Sequence, residues 1–156
     1  KLTAVFSNST IASGDYIWTD NNGTYKMYID NSVSKPVYTL DANYSNGISY
    51  IGSFLNGNLN GQGIMIYPAI GTYIGEFEYG KKNGKGQFTW NDGDKFSGTW
   101  INDQINGQGL YTFANGSTLS GSFKSNVPQG TLEYTYQGKT YHTVWNSGRC
   151  TSITKA

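Results

Sequence analysis

Few residues of this chain have the types and spacing that acid–base, nucleophilic or metal chemistry requires. The 156 residues include one histidine, His142, and one cysteine, Cys150. These numbers exclude a multi-histidine site, a cysteine-based zinc site and an internal disulfide, and no nucleophile–histidine–acid arrangement is indicated. We expect His142 at the surface, and Cys150 either packed or paired with another chain. We therefore predict no catalytic residue, no metal, no cofactor and no enzymatic activity.

The carboxylates stand where solvated side chains usually lie. Asp92 and Asp94 flank Gly93 in a predicted turn, while Glu76 and Glu78 lie on the polar side of a predicted strand. Neither pair predicts a cation site. The chain also has no glycine-rich phosphate loop followed by a lysine and no acidic pair in a catalytic loop, so kinase chemistry is not expected.

The positive charges are too few to predict a nucleic-acid partner. The net charge is +1, which creates no field that would steer the protein to a polyanion. The densest basic group is Lys81, Lys82 and Lys85, around one predicted turn. It is either a solvated loop or a weak patch for an anion or lipid headgroup, since recognition clusters usually hold about 4–8 cations.

A repeat of 23 residues organises the chain from Tyr50 onward. Its first copy carries Tyr50, Gly52, Phe54, Gly57, Gly61, Gly63 and Tyr67. The second carries Tyr73, Gly75, Phe77, Gly80, Gly84, Gly86 and Trp90, and the third Phe96, Gly98, Trp100, Asp103, Gly107, Gly109 and Phe113. The fourth carries Leu119, Gly121, Phe123, Asn126, Gly130, Leu132 and Tyr136, and the start of a fifth carries Tyr141, Thr143, Trp145 and Gly148.

Each copy predicts two strands and a turn. In the first copy we expect a strand from Tyr50 to about Leu55, a turn through residues 56–61, and a second strand from about Gln62 to Tyr67. Asp103 and Asn126 replace glycine in the turn. Because asparagine and aspartate tolerate a left-handed backbone, we expect positive φ at this position.

The two-residue period of a strand gives the predicted sheet two different faces. One face carries aromatic rings separated by glycines, and the opposite face is mostly polar. Exposed rows of rings bind proteins, lipids or sugars, although each single ring could equally serve packing within the sheet. The candidate binding residues are Met65, Tyr67, Phe88, Trp90, Tyr111, Phe113, Tyr134 and Tyr136.

This pattern of aromatic and glycine positions resembles the MORN repeat (membrane occupation and recognition nexus). The resemblance covers about Tyr50 to Gly148 and is loosest in the fourth copy, where Leu119 replaces an aromatic residue and Leu132 a glycine. It implies an all-β fold, a single-layer antiparallel sheet of consecutive 23-residue hairpins. It also implies a class of roles, because such arrays bind proteins, dimerise or associate with lipids.

The repeat divides the chain into three parts. Residues 1–45 predict a β-rich N-terminal cap with a frayed start, although a separate binding element or a linker stays possible. Residues 46–149 hold the repeats, at 50–72, 73–95, 96–118 and 119–140 with a half-repeat at 141–149, and residues 150–156 form a tail. The start at Lys1 fits a removed signal peptide, an anchor or an expression boundary. We favour an extracytoplasmic or membrane-tethered location over a cytoplasmic one.

Three functions are compatible with these observations. The first is a non-enzymatic scaffold that binds a protein partner or a second copy of itself through its aromatic groove. The second is a membrane- or lipid-associating module, for which the lysines at 81, 82 and 85 would supply the contacts. The third and least favoured is a fragment of a larger enzyme.

Overall fold

The computed structural model describes residues 14–31 and 37–156, and every regular element in them is a β-strand. The strands are β1 (Gly14–Asp20), β2 (Gly23–Asp30), β3 (Val37–Tyr44), β4 (Ser49–Leu55), β5 (Asn58–Tyr67), β6 (Gly71–Glu78) and β7 (Lys81–Trp90). They continue with β8 (Lys95–Ile101), β9 (Gln104–Thr112), β10 (Thr118–Lys124), β11 (Val127–Pro128), β12 (Gly130–Tyr136), β13 (Lys139–Asn146) and β14 (Arg149–Lys155). Within the described ranges, no helix is long and apolar enough to cross a membrane.

The strands form one open antiparallel sheet in which neighbours in sequence are neighbours in space. The short strand β11 is an exception, because β10 pairs with both β11 and β12, and the order continues through β12. The predicted all-β sheet of consecutive hairpins is therefore confirmed. Its inner face, which carries Tyr50, Tyr73 and Phe96, holds the buried rings, and its opposite, outer face carries most of the polar side chains.

The hairpin turns are shorter than the sequence predicted. Only Asn56 and Gly57 connect β4 to β5, with φ of 50° and 80°, which is the primed turn that matches strand twist. Asp103 and Asn126 have φ of 67° and 70°, so positive φ at this position is confirmed. The second strand begins at Asn58, and Gly61 lies within it at a shift of register, although its spacing predicted a place in the turn.

The glycines of the inner face make room for the ring that begins each hairpin. A Cβ atom on Gly63 would lie 2.5 Å from the Tyr50 ring, and one on Gly86 would overlap the ring of Tyr73. In the fourth copy the ring is replaced by Leu119, and Leu132 stands where the others have glycine and is 1% exposed. Leu119 is smaller than the rings at this position and leaves room for the side chain of Leu132, which explains why this copy departs from the pattern.

Both ends of the chain contribute strands. β1 to β3 continue the sheet before the repeats, and Tyr25, Leu40 and Ala42 are buried in the same core. Most of the start that was expected to fray, residues 1–13, lies outside the described residues. Residues 150–156 were predicted as a tail after a half-repeat, yet β14 pairs along β13. The fifth hairpin therefore has both strands.

Candidate functional site

The rings of successive hairpins border an open groove on the inner face. Its volume is about 550 Å³, within the range of small-molecule sites. It is lined by Lys82, Phe88, Trp90, Trp100, Asp103, Ile105, Tyr111, Phe113, Leu119, Phe123, Asn126, Pro128, Trp145 and Gly148. This lined surface crosses the strands from the second repeat to the fifth hairpin, and we call it the groove.

Equivalent positions of successive hairpins form rows along the groove. One row lies near the hairpin turns and consists of Lys82, Ile105 and Pro128. Another lies towards the opposite strand ends and includes Trp90 and Phe113. Because an antiparallel sheet places the same position of each hairpin side by side, the repeat itself builds a continuous surface.

Four of the eight predicted binding residues line the groove: Phe88, Trp90, Tyr111 and Phe113. Tyr67 and Tyr134 are half-buried on the same face, and Tyr136 is 40% exposed. Met65 and Phe88 are only 8% and 5% exposed, so their side chains serve mainly packing within the sheet. The sequence thus identified the face that carries the rings, but not which of its rings are accessible.

The rings of Trp90, Tyr111 and Phe113 contact one another directly. The ring centroids of Trp90 and Tyr111 are 5.5 Å apart, and those of Tyr111 and Phe113 are 4.8 Å apart. The hydroxyl of Tyr111 donates to Asp94 Oδ2 at 2.5 Å, and Asp94 Oδ1 accepts from the backbone N–H of Ala114 at 2.8 Å. Burial and the neighbouring carboxylate raise the pKa of Tyr111 above its ordinary value. The tyrosine is therefore a neutral, fixed donor at neutral pH.

Three aromatic residues of the groove were not among the binding candidates: Trp100, Phe123 and Trp145. They occupy the same position of successive first strands, and Trp100 Nε1 donates to the carbonyl of Gly86 at 3.2 Å. The alternation along strand one had placed this position on the aromatic face. The eight candidates chosen from the sequence all came from the predicted second strands.

The three lysines do not form one patch. Lys82 is paired in register with Phe77 and lies on the inner face, whereas Lys81 and Lys85 lie on the outer face. The Lys85 ammonium donates to Thr99 Oγ1 at 2.9 Å. The three lysines that the sequence offered as a possible anion patch are divided between the two faces, because a strand sends alternate side chains to opposite faces.

The outer face also carries a group of exposed aliphatic side chains. Ile51, Ile64 and Ile74 are cross-strand neighbours and are 49%, 37% and 50% exposed. His142 is exposed on the same face and paired in register with Glu133. Across residues 14–31 and 37–156, no group of histidine, cysteine and acidic side chains could hold a metal ion.

Comparison with known families agrees with the hairpin geometry. The family model of the MORN repeat matches three consecutive segments, residues 50–69, 73–95 and 96–118. No curated protein is significantly similar in sequence to this chain. MORN repeats are a non-catalytic repeat type, generally found as protein- or membrane-interacting modules. Residues 50–118 therefore form three consecutive MORN repeats.

Proposed function

We propose that this protein is a non-enzymatic interaction module whose groove binds a segment of a partner protein. The observation that carries the proposal is the groove itself, an open cavity of about 550 Å³ lined by rings with few polar groups. In a single-layer sheet these rings have no second layer above them. A partner segment would cover apolar surface that water now reaches.

The groove residues have the chemistry of interface hot spots. Trp and Tyr dominate binding energy when they lie in a water-excluded centre, because each buries a large area at a low entropic cost. Trp90, Tyr111 and Trp145 are half-buried, so part of each ring is already fixed and part is free to make contact. Such preorganised rings lose little side-chain freedom on binding.

A lipid surface is a weaker match for this molecule. The net charge is +1, and the lysines at positions 81, 82 and 85 are divided between the two faces. A second copy of the chain remains an alternative occupant of the groove. In that case the groove of one copy would take up an exposed segment of the other, such as β14, whose residues are all exposed.

The test compares a groove variant with a matched outer-face variant. The double variant Trp90→Ala/Phe113→Ala removes two groove rings, and Ile64→Ala/Ile74→Ala removes two exposed side chains of the outer face. Each is used as bait in quantitative affinity purification from the cell of origin. We expect partners of the wild type to be retained by the outer-face variant and lost by the groove variant.

Light scattering and vesicle flotation separate the alternatives. A concentration-dependent dimer that the groove variant abolishes would identify a second copy as the occupant. Flotation with anionic vesicles at low salt would support the lipid function instead. A monomer whose partners are the same for wild type and groove variant would contradict the proposal.

A further inference from the structure

One groove position differs in kind from its equivalents in the other hairpins. Lys82 stands where the neighbouring hairpins have Leu59, Ile105 and Pro128. Leu59 and Ile105 are 9% and 5% exposed, so the position belongs to the apolar interior of the inner face. A lysine at such a position loses hydration, and the sheet itself does not require the charge.

The Lys82 ammonium is surrounded mainly by rings. Its side chain is 12% exposed, and Nζ lies 5.3 Å, 5.8 Å and 5.7 Å from the ring centroids of Tyr67, Tyr73 and Trp100. Its polar contacts are long: 3.3 Å to Asp103 Oδ1 and 3.4 Å to the Tyr67 hydroxyl. A lysine ammonium has more donor capacity than these two contacts use.

Asp103 is the better satisfied member of the pair. Its Oδ1 also accepts the backbone N–H of Lys82 at 2.9 Å, and its side chain is 46% exposed at a turn. Water can therefore complete its shell. The residual demand for a partner lies with the ammonium in the groove, so charge complementarity favours an anionic ligand group.

We propose that Lys82 anchors an aspartate or glutamate side chain of the partner segment, whose neighbouring apolar side chains fill the groove. This inference rests on the proposed function and names the chemistry of the partner. The carboxylate accepts from the Lys82 ammonium at the second-repeat end of the groove. Aromatic or aliphatic side chains beside it contact the rings towards the fifth hairpin.

The repeat supplies the variants that test this proposal. The double variant Lys82→Leu/Asp103→Gly reproduces the junction that Leu59 and Gly80 form between the first two repeats. It removes both charges, leaves the net charge unchanged and introduces only residues that this fold already accepts there. Lys85→Gln is the matched control, because Gln62 and Gln108 occupy that position in the neighbouring repeats.

The probe is a displayed random dodecapeptide library, selected on the wild-type protein. We expect the enriched peptides to contain an acidic residue beside aromatic or aliphatic ones. Replacing that residue by its amide should weaken binding to the wild type by about 10-fold or more, as expected for a charge-assisted hydrogen bond. The Lys85→Gln control should show the same loss, and Lys82→Leu/Asp103→Gly should bind acid and amide peptides equally.

The outcomes separate the two proposals. Peptides that need the groove rings but carry no acidic residue would overturn the inference and leave the proposed function standing. An equal acid-to-amide loss on wild type and Lys82→Leu/Asp103→Gly would also overturn it. If selection enriches no peptide whose binding depends on Trp90 and Phe113, that result contradicts the proposed function and this inference together. Thermal unfolding near the wild-type temperature confirms that each variant is folded.

Discussion

The ring of Tyr73 lies across the backbone at Gly86, and its hydroxyl donates to the carbonyl of Glu76 at 3.0 Å. The same ring contacts Phe77 and Trp100 edge to face, with centroids 5.1 Å and 5.3 Å apart. A glycine and a tyrosine far apart in sequence thus specify one close contact. Because this contact recurs in the first three repeats and both positions change together in the fourth, the aromatic and glycine positions are interdependent.

This interdependence predicts the effect of a methyl group at Gly86. Gly86→Ala should lower the free energy of unfolding by about 1–3 kcal/mol, because the new Cβ overlaps the Tyr73 ring. Chemical denaturation monitored by tryptophan fluorescence measures the loss. In the background Tyr73→Leu, which imitates Leu119, the same substitution should cost clearly less. Equal costs in both backgrounds would show that the ring does not determine the glycine.

The buried tyrosines predict a loss of stability in alkali. Burial raises the pKa of Tyr50 and Tyr73 above the ordinary value of 10.0, so the unfolded chain ionises first. Their contribution is therefore fully present below pH 10.0 and falls as pH rises further, by about 1.4 kcal/mol per pH unit for each tyrosine. Urea unfolding between pH 8 and pH 11 should show this decline. The variant Tyr73→Phe should decline less steeply, and an equal slope would contradict the assignment.

At the scale of the hairpin, adjacent turns are joined by backbone hydrogen bonds. Gly80 donates to the carbonyl of Leu59, Asp103 to that of Lys82 and Asn126 to that of Ile105, each at 3.0 Å. In the third and fourth repeats the turn side chain adds a bond in the opposite direction. Asn126 Oδ1 accepts from the backbone N–H of Ile105 at 2.8 Å. The non-glycine turn residues thus strengthen the coupling between hairpins.

Two substitutions at Asn126 separate this side-chain bond from the backbone requirement. Asn126→Gly removes the bond but accepts the φ of 70°, so we expect a loss of about 0.5–1.5 kcal/mol in unfolding free energy. Asn126→Ala removes the same bond and also strains the left-handed backbone, which adds about 1–2 kcal/mol. Denaturant titrations of both variants provide the comparison. Alanine no worse than glycine would contradict the role of positive φ.

The sequence predicted the hairpins well and the details inside them less well. Spacing located the two strands of each repeat between β4 and β13, apart from the short β11, and the face that carries the rings, because the period of 23 and the alternation along a strand are both visible in the residues. It did not distinguish the glycine of a turn from Gly61, which lies at a register shift within β5. Glycine marks both features, and only the pairing of strands separates them.

Accessibility within the groove was the second limit of the sequence. Met65 and Trp90 occupy the same face, yet one is buried and the other half-buried, because exposure depends on the side chains of adjacent hairpins. Lys82 was grouped with Lys81 and Lys85 by proximity in sequence, although alternation alone separates it from them. A comparison with Leu59 and Ile105 in register would have identified it as the exceptional residue.

At the scale of the whole molecule, the described strands form an open sheet in which each hairpin is stabilised by its neighbours. We propose that β1 to β3 cap the first repeat, since Leu40 and Ala42 lie opposite Gly52 and Tyr50 and are almost fully buried. Without them, the edge of β4 and the Tyr50 ring would be open to solvent and to other chains. The cap is thus a proposal about stability at one end of the array.

Deletion of residues 1–47 tests the cap. We expect the unfolding free energy of the remaining chain to fall by about 2 kcal/mol or more and soluble oligomers to form, because buried apolar side chains lose their cover. Deletion of residues 149–156 is the matched control at the other end, where all β14 side chains are exposed, and should cost less. Thermal unfolding with light scattering measures both, and equal losses would contradict the cap.

The central claim is that a partner protein occupies the groove, and site-specific photo-cross-linking tests it most directly. A photoreactive phenylalanine analogue is placed at Phe113 in the groove or at Ile74 on the outer face, and the protein is irradiated in its own cell. We predict discrete cross-linked partners from position 113 and none of the same partners from position 74. Cross-links from position 74 alone, or the same partners from both positions, would contradict a groove that binds the partner.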